Sequence, residues 1–157
     1  MFKKIVATLV LSLFVSTVFS KEIPTRFGSL DINEENVLLF NNQPLNPEVQ
    51  GNNSLSLINT YQFDNKDVVL VQDTGGTACP ALFHFINVSA SGVKATSEFG
   101  SCTDLISVKK VKNAVVVKMG GYRPMSFSKA EFRKASKEKF IYIFKDGVLT
   151  ENGKRLK

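Results

Sequence analysis

The stretch CPALFHFINVSASGVKATSEFGSC, residues 79–102, decides the fold. Its apolar halves, Ala81–Val88 and Val93–Phe99, read as two antiparallel strands around the turn Ser89-Ala90-Ser91-Gly92. Counting ten steps outward from Ser89 and from Gly92 brings Cys79 opposite Cys102. The spacing therefore predicts a disulfide at the base of a hairpin, within about a residue of direct opposition. Such a bridge restricts the unfolded chain and contributes about 3 kcal/mol in chain-entropy terms. Other uses of the two cysteines fit less well. No Cys-x-x-Cys pair occurs, and two lone thiolates lack further metal ligands.

Short strands continue on both sides of this hairpin. Val68–Gln72 is a β-branched run before it, and Leu55–Phe63 alternates with Leu55, Leu57, Asn59 and Tyr61 expected on one face. Asp64–Asp67 reads as the polar turn between those two. Arg26–Ile32 and Val37–Phe40 are apolar runs split by Asn33-Glu34-Glu35-Asn36, and Asn41-Asn42 permits a turn into Gln43-Pro44-Leu45. Downstream, Leu105–Lys110 and Ala114–Met119 flank Lys112-Asn113, and Phe140–Lys145 and Val148–Thr150 flank Asp146-Gly147. An Asp-Gly pair between β-formers is a strong hairpin signal because both residues accept positive φ. Strands recurring this often predict a mainly β domain: an antiparallel meander, a sandwich or a partly open barrel. One short helix in the carboxy-terminal half breaks the pattern. Ser128-Lys129-Ala130-Glu131 forms a capping box, Phe127 and Phe132 are spaced as a hydrophobic staple, and the helix is expected to run from Lys129 to about Ser136.

The first twenty residues bear on location. Lys3 and Lys4 precede an apolar or small stretch from Ile5 to Phe19, and Val18-Phe19-Ser20 suits a cleavage site. That is the layout of a secretory signal peptide, and the stretch is short for a span of roughly 20 apolar residues. A retained membrane anchor is the competing reading. Residues 21–157 then form one β-rich domain, periplasmic or secreted, consistent with an oxidised cysteine pair. No cysteine sits near the cleavage point to carry a lipid.

Charge is divided along the chain. From Lys21 to Asp104 there are four basic and ten acidic residues, whereas from Leu105 to Lys157 there are fourteen basic and four acidic. Such a split presents a basic face to an acidic partner, unless the two halves interleave in one sheet and neutralise each other. Candidate contacts on the basic half are Arg133, Lys134, Lys137 and Lys139, in or just after the helix. The long polar stretch Asn41–Ser54, with Asn41, Asn42, Asn52 and Asn53, is either a binding loop or a solvated one.

No catalytic set stands out. Asp73-Thr74-Gly75 after an apolar strand is the aspartic-protease triplet, but no second copy occurs, so a dyad would need a homodimer, and the same residues make a good turn. His84 is the single histidine, mid-strand among Phe83, Phe85 and Ile86, where packing is the simpler reading. The carboxylate groups Asp31 with Glu34 and Glu35, and Asp64 with Asp67, follow no calcium-loop spacing and read as solvated turn residues. No glycine loop for phosphates and no dinucleotide fingerprint occurs, so no cofactor and no metal is expected. Export argues against nucleic acid as partner.

The run Asp73-Thr74-Gly75-Gly76-Thr77-Ala78-Cys79-Pro80-Ala81-Leu82, with Ser89-Ala90-Ser91-Gly92 and Phe99-Gly100-Ser101-Cys102-Thr103-Asp104-Leu105, resembles small exported Gram-negative proteins without an assigned function. The likeness covers about a third of the mature chain. It implies a fold and transfers no catalytic residue. The expectation is a small periplasmic, non-enzymatic binding protein, of the type that inhibits a toxin or cell-wall hydrolase or confers immunity to it. The alternative is an envelope component that binds anionic glycan or lipid headgroups, and a dimeric aspartic peptidase through Asp73 is the third reading.

Overall fold

A computed structural model describes residues 22–156 of the chain. The expected signal segment, residues 1–20, lies outside them. Fourteen strands and one helix follow in order: β1 (Ile23–Thr25), β2 (Gly28–Ile32), β3 (Leu38–Phe40), β4 (Gln43–Pro44), β5 (Ser54–Phe63), β6 (Lys66–Thr74), β7 (Ala81–Ser89), β8 (Gly92–Ala95), β9 (Phe99–Cys102), β10 (Ile106–Val111), β11 (Ala114–Gly120), α1 (Lys129–Ala135), β12 (Lys139–Lys145), β13 (Val148–Glu151) and β14 (Lys154–Arg155). They form three antiparallel sheets, each made from one consecutive piece of chain, the outer two as meanders. The amino-terminal sheet is β1–β4 and the central sheet is β5–β9, with β8 and β9 sharing one flank of β7. The carboxy-terminal sheet runs β10-β11-β12-β13-β14. The fold is mainly β with one short helix, a layered arrangement without a closed barrel.

The central sheet is covered on both faces, which explains its near-continuous apolar strands. In β6, Val68 and Leu70 face the carboxy-terminal sheet while Val69 and Val71 face the amino-terminal one. In β7, Ala81, Phe83 and Phe85 take the first side, and Ile86 and Val88 the second. The first interface is aromatic. Phe85 stacks between Phe99 and Phe144, with ring centroids 5.1 Å from each, and Phe99 lies 4.8 Å from Tyr142. The second interface is aliphatic, built on Leu30, Leu38, Leu45, Val49 and Leu55.

Several local expectations are corrected. β5 does not keep one face: a bulge between Leu57 and Asn59 adds a residue. Leu55 and Leu57 therefore pack on the aliphatic side, and Tyr61 and Phe63 on the aromatic side. Arg26–Ile32 is not one strand; Arg26 and Phe27 form the turn that pairs Thr25 with Gly28. Gly28, at φ 144°, crosses tightly against Phe40 and Asn41, where an added Cβ would come within 2.5 Å of Asn41 Oδ1. Val93–Phe99 is interrupted at Thr96, whose hydroxyl accepts the Phe85 N–H at 3.0 Å in place of a ladder carbonyl. Asp67 is not a turn residue. It sits in β6, fully buried, and accepts from Arg26 N at 2.8 Å and Arg26 Nε at 2.9 Å. The Arg26 guanidinium also donates to the carbonyls of Phe63 and Lys66, so one side chain closes the β5–β6 turn and pins two sheets together.

The cysteine bridge forms as expected, with Cys79 and Cys102 Cα atoms 4.5 Å apart. It ties the β6–β7 connection to the end of β9 and accords with an oxidising compartment. The capping box also forms: Ser128 N donates to Glu131 Oε2 at 2.8 Å, and Glu131 N donates to Ser128 Oγ at 3.3 Å. Phe132, however, is not buried by its neighbour; its exposed ring lies 5.2 Å beneath the Arg123 guanidinium.

Candidate functional site

The sequence candidates fall in separate places. Asn41 and Asn42 form the two-residue turn between β3 and β4, both at positive φ, and Asn41 Oδ1 accepts the Ser29 N–H at 2.9 Å. Asn52 and Asn53 lie against the opposite end of β6 from Asp67. Asn52 N donates to Asp73 Oδ1 at 2.8 Å, and Asn53 Nδ2 donates to the Gly75 carbonyl at 2.9 Å. The segment between them is folded into the layer, since Leu45 and Val49 are buried and Leu38 N donates to the Val49 carbonyl. Asn41 and Asn53 thus hold backbone groups, while the side chain of Asn42 is exposed at a turn. Asp73 is largely buried and committed to Asn52. His84 turns Nδ1 to the Thr96 carbonyl at 3.1 Å, with Glu98 Oε1 3.9 Å from Nε2. Among the described residues no three His, Cys, Asp or Glu side chains gather as a metal site.

The basic half behaves differently. Because the carboxy-terminal sheet is one consecutive segment, the acidic and basic halves do not interleave; the division at Asp104 and Leu105 is the boundary between two sheets. Alternation then sorts its side chains. In β12 the sequence Lys-Phe-Ile-Tyr-Ile-Phe-Lys sends Phe140, Tyr142 and Phe144 to the core and leaves Lys139, Ile141, Ile143 and Lys145 outside. The pairing register extends this outward face in rows: Lys109, Val116, Ile143, Thr150 and Arg155 form one, and Ser107, Lys118 and Ile141 the next. Directly opposed side chains on a sheet stand about 5 Å apart. The face therefore has an aliphatic centre, Val116, Ile141 and Ile143, bordered by Lys109, Lys118, Lys139, Lys145 and Arg155.

Three of the four carboxylates of this half are engaged elsewhere. Asp146, in the β12–β13 turn, pairs with Lys66 at 3.4 Å. Glu151 faces inward on Tyr142, whose phenol is pushed up to about 12, first by burial and then by the charge and hydrogen bond of Glu151, against a backbone hydrogen bond at Gly100. Glu131 serves the helix cap, and the Ser128 hydrogen bonds hold its carboxyl below the usual range. The carboxylate of Glu138 lies over Gly121. The rows of the outward face carry cations only, with Glu138 at their edge beside Lys118 and Lys139.

Lys139 belongs to this face, and Arg133 and Lys134 on the helix and Lys137 just after it are exposed. An open cleft of about 720 Å³ joins the two where Ser136 meets Lys118, Lys139 and Ile141. Sequence reasoning missed Lys109, Lys118, Lys145 and Arg155. The period-2 pattern of residues 139–145 was the available signal for Lys145, whereas the rows themselves follow from register. At the far end of the sheet, by contrast, Lys66 and Lys110 are already engaged around the Phe63 ring, and Lys110 donates to the Gln62 carbonyl. Comparison with known protein families, curated proteins and solved structures finds no match to this chain.

Proposed function

We propose that this chain is an exported, non-enzymatic binding protein of the periplasm or extracellular space, of the inhibitor or immunity type, which docks the outward face of its carboxy-terminal sheet onto an acidic protein surface. The reading rests on one observation: five cations border an aliphatic centre on a face whose paired rows hold no carboxylate. A small apolar core inside a polar rim is the anatomy of a protein interface, and a rim of one sign selects a partner of the other. The amino-terminal export pattern and the disulfide support that compartment. The test is capture from periplasmic extract at low salt by the native protein and by the triple variant Lys109→Glu, Lys118→Glu, Lys145→Glu. A single acidic protein should be retained by the native chain and bound at least about tenfold more weakly by the variant. Equal retention by both, or recovery of the native protein alone, rejects the proposal.

A further inference from the structure

Independently of that face, we infer that the disulfide end of the molecule carries a tip that inserts into an anionic lipid surface. Among the described residues seven large apolar side chains are exposed, and three of them, Met125, Phe127 and Phe132, fall within eight positions at this corner. Met125 is fully exposed, in the loop between β11 and α1. Its neighbours on the adjoining surface are Thr77, Ala78, Pro80, Tyr122 and Pro124, with no carboxylate among them. The same stretch carries Arg123, Lys129, Arg133, Lys134 and Lys137, all exposed, and the Arg123 guanidinium lies over the Phe132 ring. Of the two carboxylates of the same stretch, Glu131 is engaged with Ser128 and Glu138 lies beside Gly121, so the exposed cations outnumber them five to two.

This combination, exposed apolar side chains with exposed cations in the same stretch, matches a bilayer in which hydrocarbon lies beneath anionic headgroups. A protein partner would have to supply an apolar socket for a protruding methionine, and the charge of the corner favours the headgroups. The helix is too short to act as an amphipathic anchor by itself. The cysteine bridge holds the loop that flanks the tip, because Tyr122 Oη donates to the Thr77 carbonyl at 2.7 Å and Cys79 follows two residues later.

The chain has no tryptophan, so Met125→Trp places a single indole at the tip. The experiment uses the chain from Lys21 onward, which holds every described element, with vesicles of phosphatidylglycerol and phosphatidylethanolamine or of phosphatidylcholine alone. The indole emission should shift to the blue with the first vesicles and not with the second. In co-sedimentation, otherwise native protein should partition onto the anionic vesicles, and Met125→Ser with Phe127→Ser should weaken this about tenfold without changing the melting temperature. The Lys109→Glu, Lys118→Glu, Lys145→Glu variant should keep vesicle binding, which separates this inference from the protein-docking proposal. No blue shift, an equal shift with both vesicles, or undiminished sedimentation of the serine variant overturns it. Loss of protein capture in that serine variant without any vesicle binding also overturns it.

Discussion

Toward the amino-terminal sheet the central sheet presents Val69, Val71, Ile86 and Val88, aliphatic side chains that meet Leu30, Leu38 and Leu45. Toward the carboxy-terminal sheet it presents Phe83, Phe85 and Phe99, which meet Tyr142 and Phe144. Each interface also holds one buried polar pin, the Arg26–Asp67 ion pair on the aliphatic side and the Tyr142 phenol with Glu151 on the aromatic side. The difference teaches that the two contacts fail differently. The aliphatic layer leans on an ion pair, whereas the larger aromatic layer holds a neutral phenol beside its carboxylate.

Four outcomes test that contrast. Phe85→Ala removes the ring between two stacked neighbours and should cost about 4 kcal/mol, read as a lowered denaturant midpoint. Leu38→Ala on the other face should cost about 3 kcal/mol; if it costs more than the phenylalanine, the aliphatic layer is the dominant one. Arg26→Ala leaves a buried carboxylate without its ion-pair partner and should cost about 3 kcal/mol, with early loss of amide protection in β1 and β2. Asp67→Asn in the same background should recover part of that loss, and no recovery would mean that packing, not charge, is at stake.

Tyr142 gives the smallest effect. Its folded-state pKa is about 12 against an ordinary value of 10.0, so between those pH values the native state holds a proton that the unfolded chain has lost. Stability from this group is complete below pH 10 and falls as pH rises toward 12, by about 1.4 kcal/mol at pH about 11. Tyr142→Phe should remove that portion of the alkaline decline. Parallel decline in both proteins would refute burial of the phenol as its cause.

Much of the fold was legible where chemistry is local. The Asp146-Gly147 turn, the cysteine hairpin and the Ser128–Glu131 box each need only one short stretch of chain, and all three are present. What stayed hidden depended on distant partners. Arg26 looked like part of a strand because nothing in residues 23–32 reveals that its guanidinium is held by Asp67, 41 positions away. Asp67 looked solvated for the same reason. The bulge at Ile58 was written only as a broken alternation, and a broken alternation does not say which face wins. The cationic face was visible as a charge count but not as a surface, because the count carries no register.

One arrangement has a bearing on how the chain is made. Each layer is finished before the next begins in sequence, so a polypeptide threading amino end first through a ribosome or translocon can close the aliphatic contact early. Its phenylalanines must then wait, wetted and sticky, until the last fifty residues arrive. Holdase chaperones should engage nascent intermediates of this length, and release them once Phe144 has docked.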